Sequence, residues 1–145
     1  MSKAGLIDTN ILIYAVDENS FYHNSAHLFL EKIVTKETIF LTLQNFTEFY
    51  AIVTNSKRVN APLTQDEAVK TIMQFIHSDL FKIIVPKQKT VKTIINLLSK
   101  YRIKPSEIHD VHLAAVMLDN HIRTIYTADT SIFIRLGLNA VNPLK

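Results

Sequence analysis

Gly5-Leu6-Ile7-Asp8-Thr9-Asn10 is the stretch on which the fold turns. With Ala4 before it, the run is apolar without polar alternation, as expected of a strand covered on both faces in a parallel sheet. It ends in a carboxylate. In open α/β sheets, ligands bind beyond the carboxyl ends of the strands, where strand order reverses. Asp8 therefore either opens a turn or faces a site. Three distant acids, Glu48, Asp110 and Asp129, stand where a helix or strand end brings them back to it.

Outward from this strand the pattern alternates strand and helix, which predicts an α/β fold with a parallel sheet of four to five strands. Strands are expected over 4–8, 38–41, 82–85 and 123–127, with a fifth, edge strand over 138–141. Residues 10–16 read as a short helix or turn. Helices are expected from Asn24 or Ser25 to 36, and over 43–55, 65–77, 89–101, 104–121 and 129–136, from apolar residues at helical spacing. Thr64-Gln65-Asp66-Glu67 is a capping box for the 65–77 helix. In the 43–55 helix, Leu43, Phe46, Phe49, Tyr50 and Val53 share one face, the expected core face. Glu48 lies on the other side, near Gln44, Ala51 and Ile52.

A chain of 145 residues favours one domain over 1–145, large enough to fold without staples. Hydrophobic residues at 48% and charged residues at 20% give an ordinary globular profile. The absence of cysteine excludes disulfides, zinc–thiolate sites and Cys nucleophiles, and suits a reducing cytoplasm. No apolar run reaches the ~18 residues of a membrane span. Met1-Ser2-Lys3-Ala4 leads straight into the strand, without the layout of a signal peptide. The net charge of +3 is ordinary. If four acids are gathered in one pocket, however, 16 basic residues face only nine acids elsewhere, a surface suited to a phosphodiester substrate.

The acids have plainer readings. An Asp after a strand is a common turn or N-cap residue, which covers Asp8 and Asp129. Asp110 in a first helical turn offsets the helix dipole, and Glu48 away from the aromatic face can be plain surface. Against these readings, Asp110 heads a stripe of Leu113, Ala114, Met117 and Leu118, so it stands where the helix enters the core. Carboxylates gathered in one pocket repel, at about 4 kcal/mol per pair at 4 Å and a dielectric near 20. Protons relieve this, or a hard cation such as Mg²⁺ or Mn²⁺ that prefers oxygen ligands. No Gly-rich phosphate loop is present. The six histidines (23, 27, 77, 109, 112, 121) form no catalytic spacing. His109 and His112 flank Asp110 but read as solvated or boundary residues.

Asp8-Thr9-Asn10-Ile11-Leu12-Ile13-Tyr14-Ala15 resembles the opening motif of PIN-domain ribonucleases, specifically the VapC toxins of VapBC toxin–antitoxin modules. Asn45-Phe46-Thr47-Glu48-Phe49 resembles the segment of the second acid, Asp110-Val111-His112-Leu113-Ala114-Ala115 the third-acid helix, and Thr127-Ala128-Asp129 the last motif. Asn142-Pro143 matches a common ending. The resemblance implies a PIN-like (Rossmann-like) three-layer sandwich and a Mg²⁺- or Mn²⁺-dependent endoribonuclease, in which water attacks phosphorus in line. Asp8, Glu48, Asp110 and Asp129 are then both the catalytic and the metal-binding residues, with Asn10 and Thr127 as orienting groups. It also implies a homodimer and a VapB-type antitoxin laid over the site, on residues 11–14 and 21–30. One departure stands out: where relatives often place an acid before the phenylalanine of the last motif, this chain has Ile132 before Phe133. Asp129 is left to serve alone there.

Other readings compete. A non-catalytic PIN-like module that binds RNA or protein needs no intact acid set. A Rossmann-like phosphohydrolase often needs a second Asp two residues after the first, and Asn10 stands there instead. A structural domain with capping acids is the remainder.

Overall fold

The computed structural model describes residues 3–144; Met1, Ser2 and Lys145, which the expected 1–145 domain includes, lie outside them. Five strands, β1 (Ala4–Ile7), β2 (Thr38–Thr42), β3 (Phe81–Ile84), β4 (Thr124–Tyr126) and β5 (Asn139–Val141), form one parallel sheet in the order β3-β2-β1-β4-β5. From β1 the chain adds β2 and β3 on one side, then crosses over to add β4 and β5 on the other. The reversal lies between β1 and β4. Leu6 pairs with Ile125 and Ile7 with Tyr126, so both strands end at one mouth.

Helices α1 (Thr9–Val16), α2 (His23–Lys36), α3 (Leu43–Val53) and α4 (Gln65–His77) come before β3; α5 (Thr90–Lys100), α6 (Ile108–Asp119) and α7 (Thr130–Arg135) follow it. A 3₁₀ turn, Pro105–Glu107, leads into α6. Period-2 alternation in β1 divides the core in two. Ile7 joins Ile11, Leu12, Leu41, Phe49 and Val53 on one face of the sheet. Leu6 joins Val111, Met117, Ile125, Ile132 and Phe133 on the other. Each fully buried aliphatic or aromatic side chain in these clusters stabilises the fold by roughly 1.5–3 kcal/mol. The result is the three-layer α/β sandwich with a fully parallel sheet.

Gly5 is required at its position: a Cβ there would lie 2.7 Å from Cε2 of Tyr126 on β4. That ring is pinned, because its hydroxyl donates to both Glu37 carboxylate oxygens at 2.7 Å. The Thr64–Glu67 capping box is present in both directions, at 3.2 and 3.0 Å.

Two side chains, Leu43 and Val85, depart from the sequence reading. Leu43, expected on the core face of α3, is 57% exposed. It is the first residue of that helix and lines an apolar cleft with Pro86 and His112. Ala51 beside Glu48 is exposed as well. The third strand begins one residue earlier than expected and ends at Ile84, which leaves Val85 exposed. Among the described residues, no helix is long and apolar enough to cross a membrane.

Candidate metal-binding acidic cleft

Asp8 sits at the end of β1 in extended backbone, φ −73° and ψ 153°, and caps α1. Its Oδ1 accepts from the Thr9 N–H at 2.8 Å and its Oδ2 from the Thr127 hydroxyl at 2.8 Å. The plain capping role is therefore real, yet the same carboxylate also lines a cleft. That cleft carries all four expected acids, Asp8, Glu48, Asp110 and Asp129, from four separate elements.

Thr127 and Asn10 join the two strand ends. The Thr127 hydroxyl donates to Asp8 and accepts from the Asp129 N–H at 3.0 Å and from Asn10 Nδ2 at 3.4 Å. Asn10 Oδ1 accepts from the Ala128 N–H at 3.2 Å. Asp129 precedes α7 but makes no side-chain cap bond to it, so its exposed carboxylate is left to the cleft. Asp110 is half-buried in the first turn of α6. Glu48 accepts from Gln44 Nε2 at 2.6 Å, and Gln44 reaches on to the His109 carbonyl at 3.1 Å, which ties α3 to α6.

Sequence reasoning missed Asn45. It is 1% exposed, donates to the Thr9 hydroxyl at 3.0 Å, and exchanges capping bonds with Thr42 at 2.7 and 3.2 Å. It thereby fixes α3, and Glu48 on it, against α1 and Asp8. The Thr42–Asn45 spacing is a capping box with Asn in the acidic position, the signal that could have exposed it. Asp119, also buried, is a different matter. Burial alone would raise its pKa, but hydroxyl bonds from Thr93 and Thr90, with Lys89 and Lys87 nearby, hold it below the usual carboxylate range. It closes the far end of α6 and belongs to the scaffold.

The electrostatics of the cleft are those of crowded acids. Burial raises the Asp8 carboxyl from its ordinary 3.8 to about 6, against its hydrogen bonds and with the charges of Glu48 and Asp129 adding to the rise. Burial, then the charges of Asp8, Asp129 and Glu48, raise Asp110 to about 6 as well. The donor set is all oxygen, without thiolate, and the neighbouring acids raise the proton affinity of Asp8 and Asp110; both features fit a hard divalent cation. Among the described residues, no three acidic or histidine side chains close into a cage by themselves. An ion here would take a few carboxylate oxygens and complete its shell with water, the usual habit of Mg²⁺. Both Asp8 oxygens are hydrogen-bonded, but each keeps a second lone pair.

His109 is exposed beside an adjoining cleft, and His112 faces the apolar one; neither lines the wall with Asp8. Ile132 is 3% exposed and packs in the core under α7. Its position offers no ligand to the cleft.

No curated protein matches the chain in sequence. Several solved structures share its fold. VapC20 of Mycobacterium tuberculosis, a toxin that cleaves the sarcin–ricin loop, superposes with a TM-score of 0.73 at 15% identity, over 96% of this chain and 99% of that one. VapBC2 of Rickettsia felis, solved on a promoter DNA fragment, gives 0.70 at 17% identity, over 98% and 99%. A toxin–antitoxin complex from Klebsiella pneumoniae gives 0.63 at 21% identity, over 96% and 97%. The family model of the PIN domain matches residues 5–138, and with the parallel sheet and the acid-lined mouth already described, the chain belongs to the PIN domain family.

Proposed function

We propose that this single PIN-like domain is a VapC-type toxin: a Mg²⁺- or Mn²⁺-dependent endoribonuclease that acts in the cytoplasm and is held in check by a cognate VapB-type antitoxin. The observation that carries this reading is the meeting of Asp8, Glu48, Asp110 and Asp129, drawn from four elements, in one cleft at the sheet's switch point.

Asp8, Asp110 and Asp129, with Glu48, would hold the ion. When bound, it supplies charge stabilisation for a phosphodiester and a water of lowered pKa. The chain's own residues prepare the place for it. The Thr127 hydroxyl and the Thr9 N–H fix the Asp8 carboxylate in one orientation. Asn10 holds the β4 end against α1 through Thr127 and Ala128, so Asp129 cannot drift from Asp8. Gln44 orients Glu48 toward α6 and Asp110. With Ile132 in the core, we infer one ion, held by a few carboxylate oxygens and completed by water.

The partner and the assembly are part of the same reading. Phe21, 90% exposed, and Leu28, 53% exposed, lie within the 21–30 segment expected to receive an antitoxin. Val91, Ile95 and Leu98 form an exposed apolar stripe on α5, which suits pairing with a second copy. The solved toxin–antitoxin complexes of the same fold support the antitoxin as a partner.

The test is cleavage of a set of RNA oligonucleotides in Mg²⁺, Mn²⁺ and EDTA. Wild type cleaves only with metal. Asp8→Asn loses more than the ~100-fold typical of removing an outer-shell partner, with its circular dichroism unchanged. Calorimetry shows Mn²⁺ binding that weakens in Asp110→Asn. Wild type that binds RNA and metal but never cleaves would leave the non-catalytic binding module as the correct reading.

A further inference from the structure

We propose that Arg58 is a substrate-contacting residue, which seats the phosphodiester backbone of a single-stranded RNA at the junction of two clefts; the proposal rests on the nuclease reading above.

The acidic cleft is continuous in its lining with a second one. Glu48, Ile52, Arg58 and Asp110 belong to both. The second cleft runs on past Ser106 and His109 over the α3 and α6 surfaces. Among the described residues lining either cleft, Arg58 is the one permanent cation. It lies in the loop after α3 and is exposed.

Such a group beside four acids would be expected to pair with one of them. It does not: among the described residues, no carboxylate comes within ion-pairing distance of its guanidinium. The largest charge effects on Asp8 and Asp110 come from other acids. An arginine held near carboxylates but unpaired is available for an anion that enters from outside. Guanidinium matches the paired oxygens of a phosphate bidentately.

Its loop is not loose. The Arg58 and Val59 N–H groups donate to the Asn55 carbonyl at 2.9 and 3.1 Å, and the Lys57 N–H donates to Asn55 Oδ1 at 2.9 Å. Val59 is buried in the core. The backbone under Arg58 is thus anchored while its side chain is free to meet a ligand. A strand laid through both clefts presents one phosphate to the acids and a neighbouring phosphate to Arg58. The side-chain-lined path suits an unpaired strand or loop, the form in which RNA exposes its backbone and bases to proteins.

The experiment measures both binding and cleavage. Binding of a fluorescent single-stranded RNA is followed by anisotropy in EDTA across a salt series, for wild type, Arg58→Ala, Arg58→Lys and the control Lys100→Ala. Cleavage is followed in Mn²⁺. Arg58→Ala, with an unchanged melting temperature, binds about tenfold more weakly, and its salt slope is shallower by about 0.7, one phosphate contact on a single strand. Its KM rises more than its kcat falls. Arg58→Lys keeps the slope and recovers part of the affinity. If wild type cleaves and Arg58→Ala matches it in slope, affinity and KM, the proposal is overturned while the nuclease reading stands. If Arg58→Ala instead changes only Mn²⁺ affinity, Arg58 is an internal counter-ion and the proposal is again overturned. If wild type does not cleave but Arg58→Ala loses the slope, the phosphate contact stands and the nuclease reading falls. Wild type that neither binds nor cleaves RNA overturns both.

Discussion

Asp110 shows what it costs to bury a carboxylate among other acids. It is half-buried, and among the described residues its carboxylate has no hydrogen bond; burial and four other acids raise its pKa from 3.8 to about 6. Between those values the folded state holds more protons than the unfolded chain. Metal-free stability therefore falls as pH rises from about 4 to about 6, and stays low above. Asp110→Asn should then stabilise the metal-free protein at pH 7.5 by about 1–2 kcal/mol, the ~3 kcal/mol of a two-unit shift being reduced by solvent screening. At pH 4 it should change little; melting curves in EDTA at the two pH values check the sign. On the proposed metal-dependent reading the effect on binding runs the opposite way: protons compete with the ion, so wild-type affinity and cleavage should fade as pH drops below about 6. Residues of this kind were legible in the sequence because their positions at strand and helix ends follow from pattern. Asp119 was not, since nothing local ties it to Thr90 and Thr93 of another helix.

At the level of elements, the periodicities placed every helix and strand within a few residues, because both sheet faces are covered and each run keeps one period throughout. What escaped was set by neighbours. Leu43 begins α3 beyond the end of β2 and so projects past the packed layer. In the sequence Asn45 stands within the second-acid segment without a role of its own, yet it is the link that fixes α3 to α1 through Thr9. Gly5 is another case. Its sequence context reads as strand, where glycine usually weakens pairing, and only the Tyr126 ring explains it. Gly5→Ala would bring a methyl to 2.7 Å from a ring held by Glu37. It should cost about 1–3 kcal/mol, read as a lower denaturation midpoint in urea. Replacing Tyr126 by Phe in the same background should recover part of that loss by freeing the ring to move.

Across the whole molecule, β1 is the centre of the sheet and faces a core on each side. Hydrogen exchange should find the Leu6 and Ile7 amides the slowest, near the global unfolding limit, with β3 and β5 at the sheet edges opening sooner. Equal protection across the sheet would refute that ranking. Strand order itself was beyond the sequence pattern, which fixes parallel pairing through long crossovers but not which strand stands beside which. The mouth between β1 and β4 has one more consequence, and it concerns the order of synthesis. Asp8 is made well before Thr127, which orients it, and Asp129, which completes its wall; these come 119 and 121 positions later. Until that later stretch has docked beside β1, no partial chain owns both halves of the mouth. On the proposed nuclease reading, cutting needs both halves of the mouth and so needs the closed sheet.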